Sequence, residues 1–414
     1  MTSARGVRRA REHRLFCSGE VFCVKRTLIL ILAAIPTGIA VGAVDAVFGR
    51  VLLYIGEVRD AHVMRLVPFL AFAGAAMAWA YKHYGKGCES GMGMVFEAGH
   101  GEREEIPLRL VPFVMCATWL THLFGGSAGR EGVAVQLGAA ISHRVGRLLR
   151  CEDAPRLMLI TGIAAGFAGL FRTPFAATAF ALEVLTAGRL EHRALLPAAT
   201  AALCASVTSG LLGLEKFTFA VMELPGWDAA LLVKLAGLGL AFGLAGAAFT
   251  FLLERCKKEA QTGLKDPILR IFVMGIALSA VLLALLKGRY CGLGTNLINA
   301  SLAGGTVYAW DWALKLVLTA LTLSAGYQGG EVTPLFSIGA SLGAAVSGLL
   351  GLPAALCAGL GYAAVFGSAT NTLIAPTLIA AEVFGWPFAP YALITCALAY
   401  AANGGRSIYA GQRR

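Results

Sequence analysis

The sequence is organised around one stretch, Gly125-Gly126-Ser127-Ala128-Gly129-Arg130-Glu131-Gly132-Val133. It separates an apolar segment, Ile106–Phe124, from a helix-like run, Ala134–Ile141. So many glycines disfavour a continuous helix, yet a backbone inside a bilayer must satisfy every N–H and C=O group. The stretch therefore predicts a broken helix that faces protein or a water-filled cavity. The N–H groups of the restarting helix would point at that cavity and form an anion site, as broken helices do in transporters.

Glu131 gives this break its chemistry. Acidic residues are rare in membrane segments, and those that occur mark ion pathways and proton relays. We predict that the Glu131 carboxylate competes with a bound anion and carries a proton. The alternative is a glycine cluster that only packs helices together, with Arg130 and Glu131 as an ion pair that reaches towards water.

The composition is that of a multi-pass membrane protein. Of the 414 residues, 57% are hydrophobic and 14% are charged, whereas soluble proteins have about 25% charged residues. The apolar runs show no strand alternation, which predicts an all-α fold. The net charge of +11 fits basic loops that orient membrane helices, so no nucleic-acid partner is expected. The cysteines and histidines form no metal-ligand pattern, and neither a metal nor a cofactor is predicted.

The chain divides into four parts. We expect a basic N-terminal segment at residues 1–26, a first transmembrane half at 27–253, a polar cytoplasmic linker at 254–267 and a second transmembrane half at 268–414. The basic start favours a retained first helix and cytoplasmic termini in a cell's inner membrane; a cleaved signal peptide is the rival interpretation. Several apolar segments are shorter than the roughly 20 helical residues that cross a hydrocarbon core. Short and tilted helices are therefore expected.

The two halves resemble each other weakly. Ser127–Gly132 matches Ser324–Gly329, which lies 197 residues later, and the blocks Leu137–Ala140, Ala168–Phe171 and Leu182–Val184 repeat at similar offsets. Near-constant offsets favour a duplication. Transporters are often built from two such halves in inverted topology, with the site between them.

Three motifs in order carry a family resemblance: Gly129–Gly132, Phe171-Arg172-Thr173-Pro174 leading to Glu183, and Gly329–Pro334. This set resembles the CLC family of anion channels and anion/proton antiporters, over nearly the whole chain. The resemblance implies a CLC-like fold of two inverted-topology halves with broken, tilted helices. It also implies a homodimer with one pathway per subunit, and it makes Glu131 the gating glutamate that carries the proton.

Three departures from the chloride-type pattern are similar to the fluoride/proton antiporter branch of that family. Gly91-Met92-Gly93-Met94-Val95 stands in place of G-S-G-x-P, so a thioether replaces a hydroxyl donor. Gly330-Glu331-Val332-Thr333-Pro334 stands in place of G-x-F-x-P. The inner proton glutamate matches Val184. The family's central tyrosine matches Tyr409, which we expect on a short last helix.

The resulting site prediction has two acids and a set of anion ligands. Glu131 is the gate and proton carrier, and Glu331 is the candidate inner proton relay. The predicted anion-binding residues are Gly91, Met92, Gly93, Gly129, Arg130, Gly132, Val133, Val332, Thr333 and Tyr409. Fluoride is small and strongly hydrated, so it needs compact donors such as backbone N–H groups at the two breaks.

Several of these residues have a simpler interpretation. Met92 is then a lipid-facing gap filler, and Glu331 is an N-cap partner stabilised by the helix dipole. Tyr409 is then an interfacial anchor. Arg130 is expected to act through structure or charge rather than as a direct ligand.

Two further acids, Glu183 and Glu382, occupy matching positions of the repeat near helix ends. No pathway motif surrounds them, so we expect both on a solvated face. Glu183→Gln is therefore expected to disturb exchange much less than Glu331→Gln.

Three functions compete. The first is a secondary transporter that exchanges fluoride for protons and exports fluoride. The second keeps the fold but moves chloride or nitrate, as an antiporter or a passive anion channel. The third is a membrane enzyme that uses Glu131 and His122 as general acid and base; the lack of a nucleophile–base motif and the two-half symmetry of the sequence disfavour it.

Overall fold

A computed structural model describes the backbone of residues 3–149, 151 and 153–413 and the side chains of residues 25–149, 151 and 153–413. Most of the basic N-terminal side chains predicted to face the cytoplasm lie outside the described residues. The helices are α1 (Ser3–Ala61), α2 (Val63–Leu66), α3 (Leu70–Ala80), α4 (Met92–Gly99), α5 (Leu110–Leu123), α6 (Glu131–Leu148), α7 (Ala154–Phe171), α8 (Pro174–Glu183), α9 (Leu195–Leu211), α10 (Ala229–Gly263), α11 (Pro267–Ala284), α12 (Thr295–Leu302), α13 (Asp311–Ala325), α14 (Val332–Leu350), α15 (Ala354–Thr370), α16 (Ile374–Phe384) and α17 (Ala389–Ala402). The described residues form no strand, as the sequence predicts.

Helix lengths agree with a multi-pass membrane protein. Within the described ranges, seven helical spans are long and apolar enough to cross a bilayer. Others are apolar but short, such as α5 with 14 residues and α16 with 11 residues. A helix of 11 residues rises only about 16 Å, roughly half the hydrocarbon thickness. The expectation of short membrane helices is therefore confirmed.

The polar segment between the halves is mostly helical. Helix α10 runs for 35 residues to Gly263, so only residues 264–266 connect it to α11. Residues 254–262 contain neither Gly nor Pro and are rich in Lys, Glu, Ala and Gln, which favour a helix in water. The apolar helix consequently extends beyond its membrane segment as a charged helical arm.

The helix order repeats along the chain. Helices α6, α7 and α8 begin at residues 131, 154 and 174, and α14, α15 and α16 begin at residues 332, 354 and 374. The paired helices also pack alike, because a Cβ atom at Gly138 would collide with the carbonyl of Gly162 and one at Gly339 with that of Gly361. Glycine lets the two backbones approach closely in each half. The duplication predicted from short sequence blocks is thus present in the fold.

Candidate functional site

The two glycine-rich breaks meet directly. The N–H group of Gly129 donates to the carbonyl of Gly330 at 2.5 Å, and the N–H group of Gly330 donates to the carbonyl of Gly129 at 2.8 Å. A Cβ atom at Gly129 would lie 2.9 Å from that Gly330 carbonyl oxygen, so the approach requires glycine. Helices α6 and α14 begin beside this bridge. Two helix N-termini, each with unpaired N–H groups and a positive dipole end, therefore converge on one place.

The Glu131 carboxylate fills the point of convergence. The side chain is 1% exposed, and its Oε2 accepts hydrogen bonds from the Thr333 N–H group at 3.1 Å and from the Thr333 hydroxyl. The Arg130 N–H group donates to the same oxygen at 3.3 Å. An acid of the first half thus occupies donors at the helix start of the second half. Any anion that uses those donors must displace the carboxylate.

Arg130 is close to this acid but is not part of a tight pair. Its Nε lies 3.6 Å from Oε1 of Glu131, and both Nε and Nη1 are buried without a hydrogen-bond partner in the described structure. The Val133 N–H group donates to the Arg130 carbonyl at 3.1 Å, so it closes the first turn of α6. Glu131 is buried and the Arg130 side chain is 12% exposed, so the acid of this pair does not reach towards water.

A cavity of about 390 Å³ lies beneath the two breaks. Its walls include the predicted residues Gly91, Met92, Gly93, Glu331 and Tyr409, together with Gln136, Lys257 and Arg270. The Met92 side chain therefore borders a polar cavity, and the interpretation as a lipid-facing filler is wrong. The structure brings ligand candidates from α4, α14 and the C-terminal tail to one chamber.

Glu331 borders this chamber rather than capping its helix. It occupies the N-cap position of α14, but its side chain makes no capping hydrogen bond. Gly132 follows Glu131 in the chain. A Cβ atom placed on Gly132 would lie 3.6 Å from Oε2 of Glu331. The N-cap position that the simpler interpretation expects is confirmed, but the side chain does not bind the N–H groups of α14. The two acids are neighbours across the bridge, with Glu131 buried in it and Glu331 half-buried at the cavity.

Tyr409 presents an unpaired hydroxyl to the same chamber. The residue is 6% exposed, its ring packs on Phe96 with centroids 5.3 Å apart, and its hydroxyl has no hydrogen-bond partner in the described residues. Burial excludes the interfacial-anchor interpretation. The expected short last helix is also wrong: α17 ends at Ala402, and Gly404 and Gly405 then adopt left-handed φ angles of 67° and 73°, which start an irregular tail.

His122 supports the first break. Its ring is buried, with Nδ1 2.8 Å from the Thr118 carbonyl and Nε2 3.0 Å from the Ala128 carbonyl. Both ring nitrogens are therefore engaged by backbone oxygens next to the break. In the neutral ring one of these nitrogens donates to its carbonyl oxygen, and the ring packs against the loop that carries Glu131.

The family model of voltage gated chloride channels matches residues 73–404. The chain belongs to the CLC family.

Relatives agree in sequence and in shape. A "Chloride/fluoride channel protein" of Pseudomonas syringae pv. tomato is 36% identical over 380 residues, which cover 90% of this chain and 83% of the relative. The crystal structure of a CLC-type fluoride/proton antiporter is 49% identical, with a TM-score of 0.92 over 93% of this chain and 98% of the other. A slow cyanobacterial Cl⁻/H⁺ antiporter, at 19% identity and a TM-score of 0.79, shares the fold. The predicted CLC fold of two inverted halves is confirmed.

Within this CLC fold, Glu183 and Glu382 cap helices of the opposite half. Glu183 is 7% exposed, and its carboxylate accepts hydrogen bonds from the first N–H groups of α16, at Leu373, Ile374 and Ala375. Glu382 reciprocates by accepting from the Ala176 N–H group at the start of α8, at 2.7 Å. The expected solvated face is wrong, because unpaired helix N–H groups draw both carboxylates inward.

The position of the chloride antiporters' inner glutamate contains no polar side chain in this CLC protein. Val184 is fully buried, and its carbonyl accepts a hydrogen bond from Nε2 of Gln412 at 3.0 Å. A proton relay therefore has no titratable group at this position.

Lys315 is a buried residue that the sequence analysis missed. It is 0% exposed, and its Nζ donates to the Ser127 hydroxyl at 2.8 Å and to the carbonyls of Gly292 and Tyr290 at 2.6 and 3.1 Å. It thereby ties the first break to the second half. A lysine alone inside the apolar run Trp312–Ala325 is itself a signal, because buried cations in membrane helices are expensive.

Proposed function

We propose that this CLC protein is a secondary active transporter that exchanges fluoride for protons and exports fluoride across the inner membrane. The observation that carries the proposal is that the Glu131 carboxylate accepts hydrogen bonds from the N–H group and the hydroxyl of Thr333. A carboxylate held by these donors stands where an anion can stand, and protonation weakens its hold on them. An anion and a proton can therefore take turns at the junction, which is the requirement for coupled exchange.

The proton route continues through the second half. Glu331 borders the cavity below the junction, and its carboxylate lies against the backbone at Gly132. We assign Glu331 the inner proton step, because Val184 removes the chloride antiporters' acid. The Tyr409 hydroxyl and the N–H groups around Gly91–Gly93 are the proposed anion donors in this chamber. The Thr333 hydroxyl and the Val332 N–H group are the proposed donors at the junction above it.

The proposal that fluoride is the substrate rests on the hydrogen-bond donors of the chamber and on the similarity to a fluoride/proton antiporter. Met92 borders the cavity where chloride-type members have a serine, so a large anion loses a hydroxyl contact while backbone donors remain. The 49% identical structure is that of a CLC-type fluoride/proton antiporter. The second candidate is a chloride or nitrate antiporter or a passive anion channel; the name "Chloride/fluoride channel protein" of the Pseudomonas relative favours it.

Both described ends of the chain and the charged arm of α10 gather at one end of the molecule, which we assign to the cytoplasm. Arg26 contacts Asp153, Arg156 contacts Gly99, and His100 contacts Gly411. Ile408 and Ala410 of the C-terminal tail border the recess along the arm. This end is rich in arginine and lysine, as the positive-inside rule requires of a cytoplasmic face. The resemblance to the family adds a homodimer with one pathway per subunit and the division into halves at 27–253 and 268–414.

Purified protein in liposomes separates the candidates. Vesicles loaded with fluoride, chloride or nitrate are diluted into anion-free buffer, and anion efflux and lumenal pH are recorded together. The proposal predicts fluoride efflux with stoichiometric proton uptake, and much slower efflux of chloride and nitrate. Chloride efflux with proton uptake would establish the second candidate, and anion efflux without proton movement would establish a channel.

A further inference from the structure

Lys257 stands at the neck between two recesses. One is the chamber of Met92, Glu331 and Tyr409, with a volume of about 390 Å³. The other is a larger recess of about 750 Å³ along the charged arm of α10, bordered by Lys258 and Lys265. The residues common to both recesses are Lys257, Gln261, Ile408 and Ala410. An ion that moves from the arm to the chamber therefore passes Lys257.

The charge of Lys257 is not neutralised by a close partner. Its side chain is half-buried, and within the described residues it makes no hydrogen bond and no ion pair shorter than 4 Å. Other cations nearby are engaged: Arg255 pairs with Glu259 at 2.9 Å, and Arg270 donates to the carbonyls of Ala325 and Leu264. Of the two cations that line the chamber itself, Lys257 and Arg270, Lys257 is the one whose side chain has no hydrogen bond or ion pair within the described residues. Lys258 and Lys265 are also unpaired there, but they border the outer recess alone.

Lys257 and Glu331 line the same chamber, and their opposite charges interact electrostatically. The other titratable or charged groups around the chamber are Glu89, Arg270, Tyr327, Tyr409 and, across the bridge, Glu131. An ammonium group is a compact, strongly hydrated charge, which suits a small hydrated anion better than a broad guanidinium does. Lys257 can therefore have either of two counter-ions, the ionised Glu331 or an arriving anion.

We infer that Lys257 binds the transported anion as it enters the chamber. Its ammonium group then alternates between two counter-ions, the anion and the Glu331 carboxylate. The inference rests on the proposed exchange function and adds to it a residue that captures a small monovalent anion before dehydration. Capture by a partly screened charge lowers the anion concentration needed for transport and acts little on the later steps. Lys257 is accordingly a residue for anion capture and is not a proton carrier.

The test measures initial fluoride efflux from liposomes against lumenal fluoride concentration for the wild type, Lys257→Gln, Lys257→Arg and Lys258→Gln. Lys258 is the matched control, because it is the next residue on the same helix and is exposed to the outer recess alone. We expect Lys257→Gln to raise the half-saturating fluoride concentration about three- to tenfold at low ionic strength, with a maximal rate near that of the wild type. Lys257→Arg should recover most of the loss, and Lys258→Gln should stay within about twofold of the wild type.

An impermeant salt provides a second readout. Raising ionic strength should shrink the difference between the wild type and Lys257→Gln, because screening removes the contribution of the charge. A Lys257→Gln curve that coincides with the Lys258→Gln curve would overturn the inference while leaving the exchange function intact. A loss of maximal rate alone, without a change in half-saturation, would also overturn it. A wild type without fluoride flux would overturn the proposed function as well.

Discussion

The two breaks use the same backbone and different side chains. In the first half, the break before α6 carries Glu131, whose carboxylate is buried and reaches into the second half. In the second half, the break before α14 supplies the Thr333 N–H group and hydroxyl as donors, while its own acid, Glu331, borders the cavity. One half therefore contributes a carboxylate, and the other contributes the N–H group and the hydroxyl that bind it.

Because of this difference, the two breaks have separate roles, which two breaks with identical side chains could not have. Had both breaks carried an acid at the bridge, two carboxylates would repel each other at a shared site. The repeated sequence block aligns Tyr327 and Gln328 with Arg130 and Glu131, and the acid of the second break, Glu331, lies outside the bridge at the cavity. The Tyr327 hydroxyl donates to the Leu70 carbonyl at 2.9 Å and anchors the loop. The duplicated backbone brings the two breaks together, and the side chains that the breaks carry differ.

The largest effect is expected when the side chain at position 131 can no longer bind and release a proton. Glu131→Gln should abolish coupled proton movement, because an amide cannot alternate between charged and neutral forms. The measurement is lumenal pH in liposomes during fluoride efflux. A Gln variant that still drives protons uphill with a fluoride gradient would remove Glu131 from the proton route.

A smaller loss is expected in the second break. Glu331→Gln should slow coupled exchange about hundredfold or more, comparable with the loss of a positioned acid–base group, while the thermal unfolding temperature changes little. Lumenal pH and fluoride efflux recorded together measure the rate. Exchange at the wild-type rate in Glu331→Gln would show that the inner proton step lies elsewhere.

The reciprocal caps extend the comparison to stability. Glu183 accepts three backbone hydrogen bonds at the start of α16, and Glu382 is only half-buried at the start of α8. Glu183→Gln should therefore cost about 1–3 kcal/mol and Glu382→Gln about 1 kcal/mol, since charge-assisted bonds become weaker neutral ones. Thermal unfolding in detergent checks the order. Equal losses, or a dead exchange in a fully folded Glu183→Gln, would contradict the capping role.

The smallest effect is expected from a substitution of Met92, which borders the chamber. Met92→Ser restores a hydroxyl donor, so chloride or nitrate efflux should rise several-fold relative to fluoride, as one added hydrogen bond to a charged ligand allows. The ratio of efflux rates in the same liposomes is the measurement. A ratio identical to that of the wild type would show that the side chain at position 92 does not influence selectivity.

The sequence predicted features that a short motif encodes. The glycine content of 125–132 predicted the break, and the repeated blocks predicted the duplicated helix order, because both depend on nearby residues. The cap by Glu183 was missed because its partners lie about 190 residues away, and a local pattern reveals only a helix end. Lys257 was missed because a charged linker was expected where α10 continues as a helix. Only the three-dimensional fold places Lys257 and Glu331 on the same chamber.

The central claim is that Glu131 occupies an anion position, and fluoride binding to purified protein tests it most directly. Isothermal titration of fluoride into the wild type and Glu131→Ala compares the site with and without the competing carboxylate. The account predicts that Glu131→Ala binds fluoride more tightly or in greater number, because the Thr333 N–H group and hydroxyl become available to the anion. Identical binding in the two proteins would contradict it, since the carboxylate would then not compete with the anion.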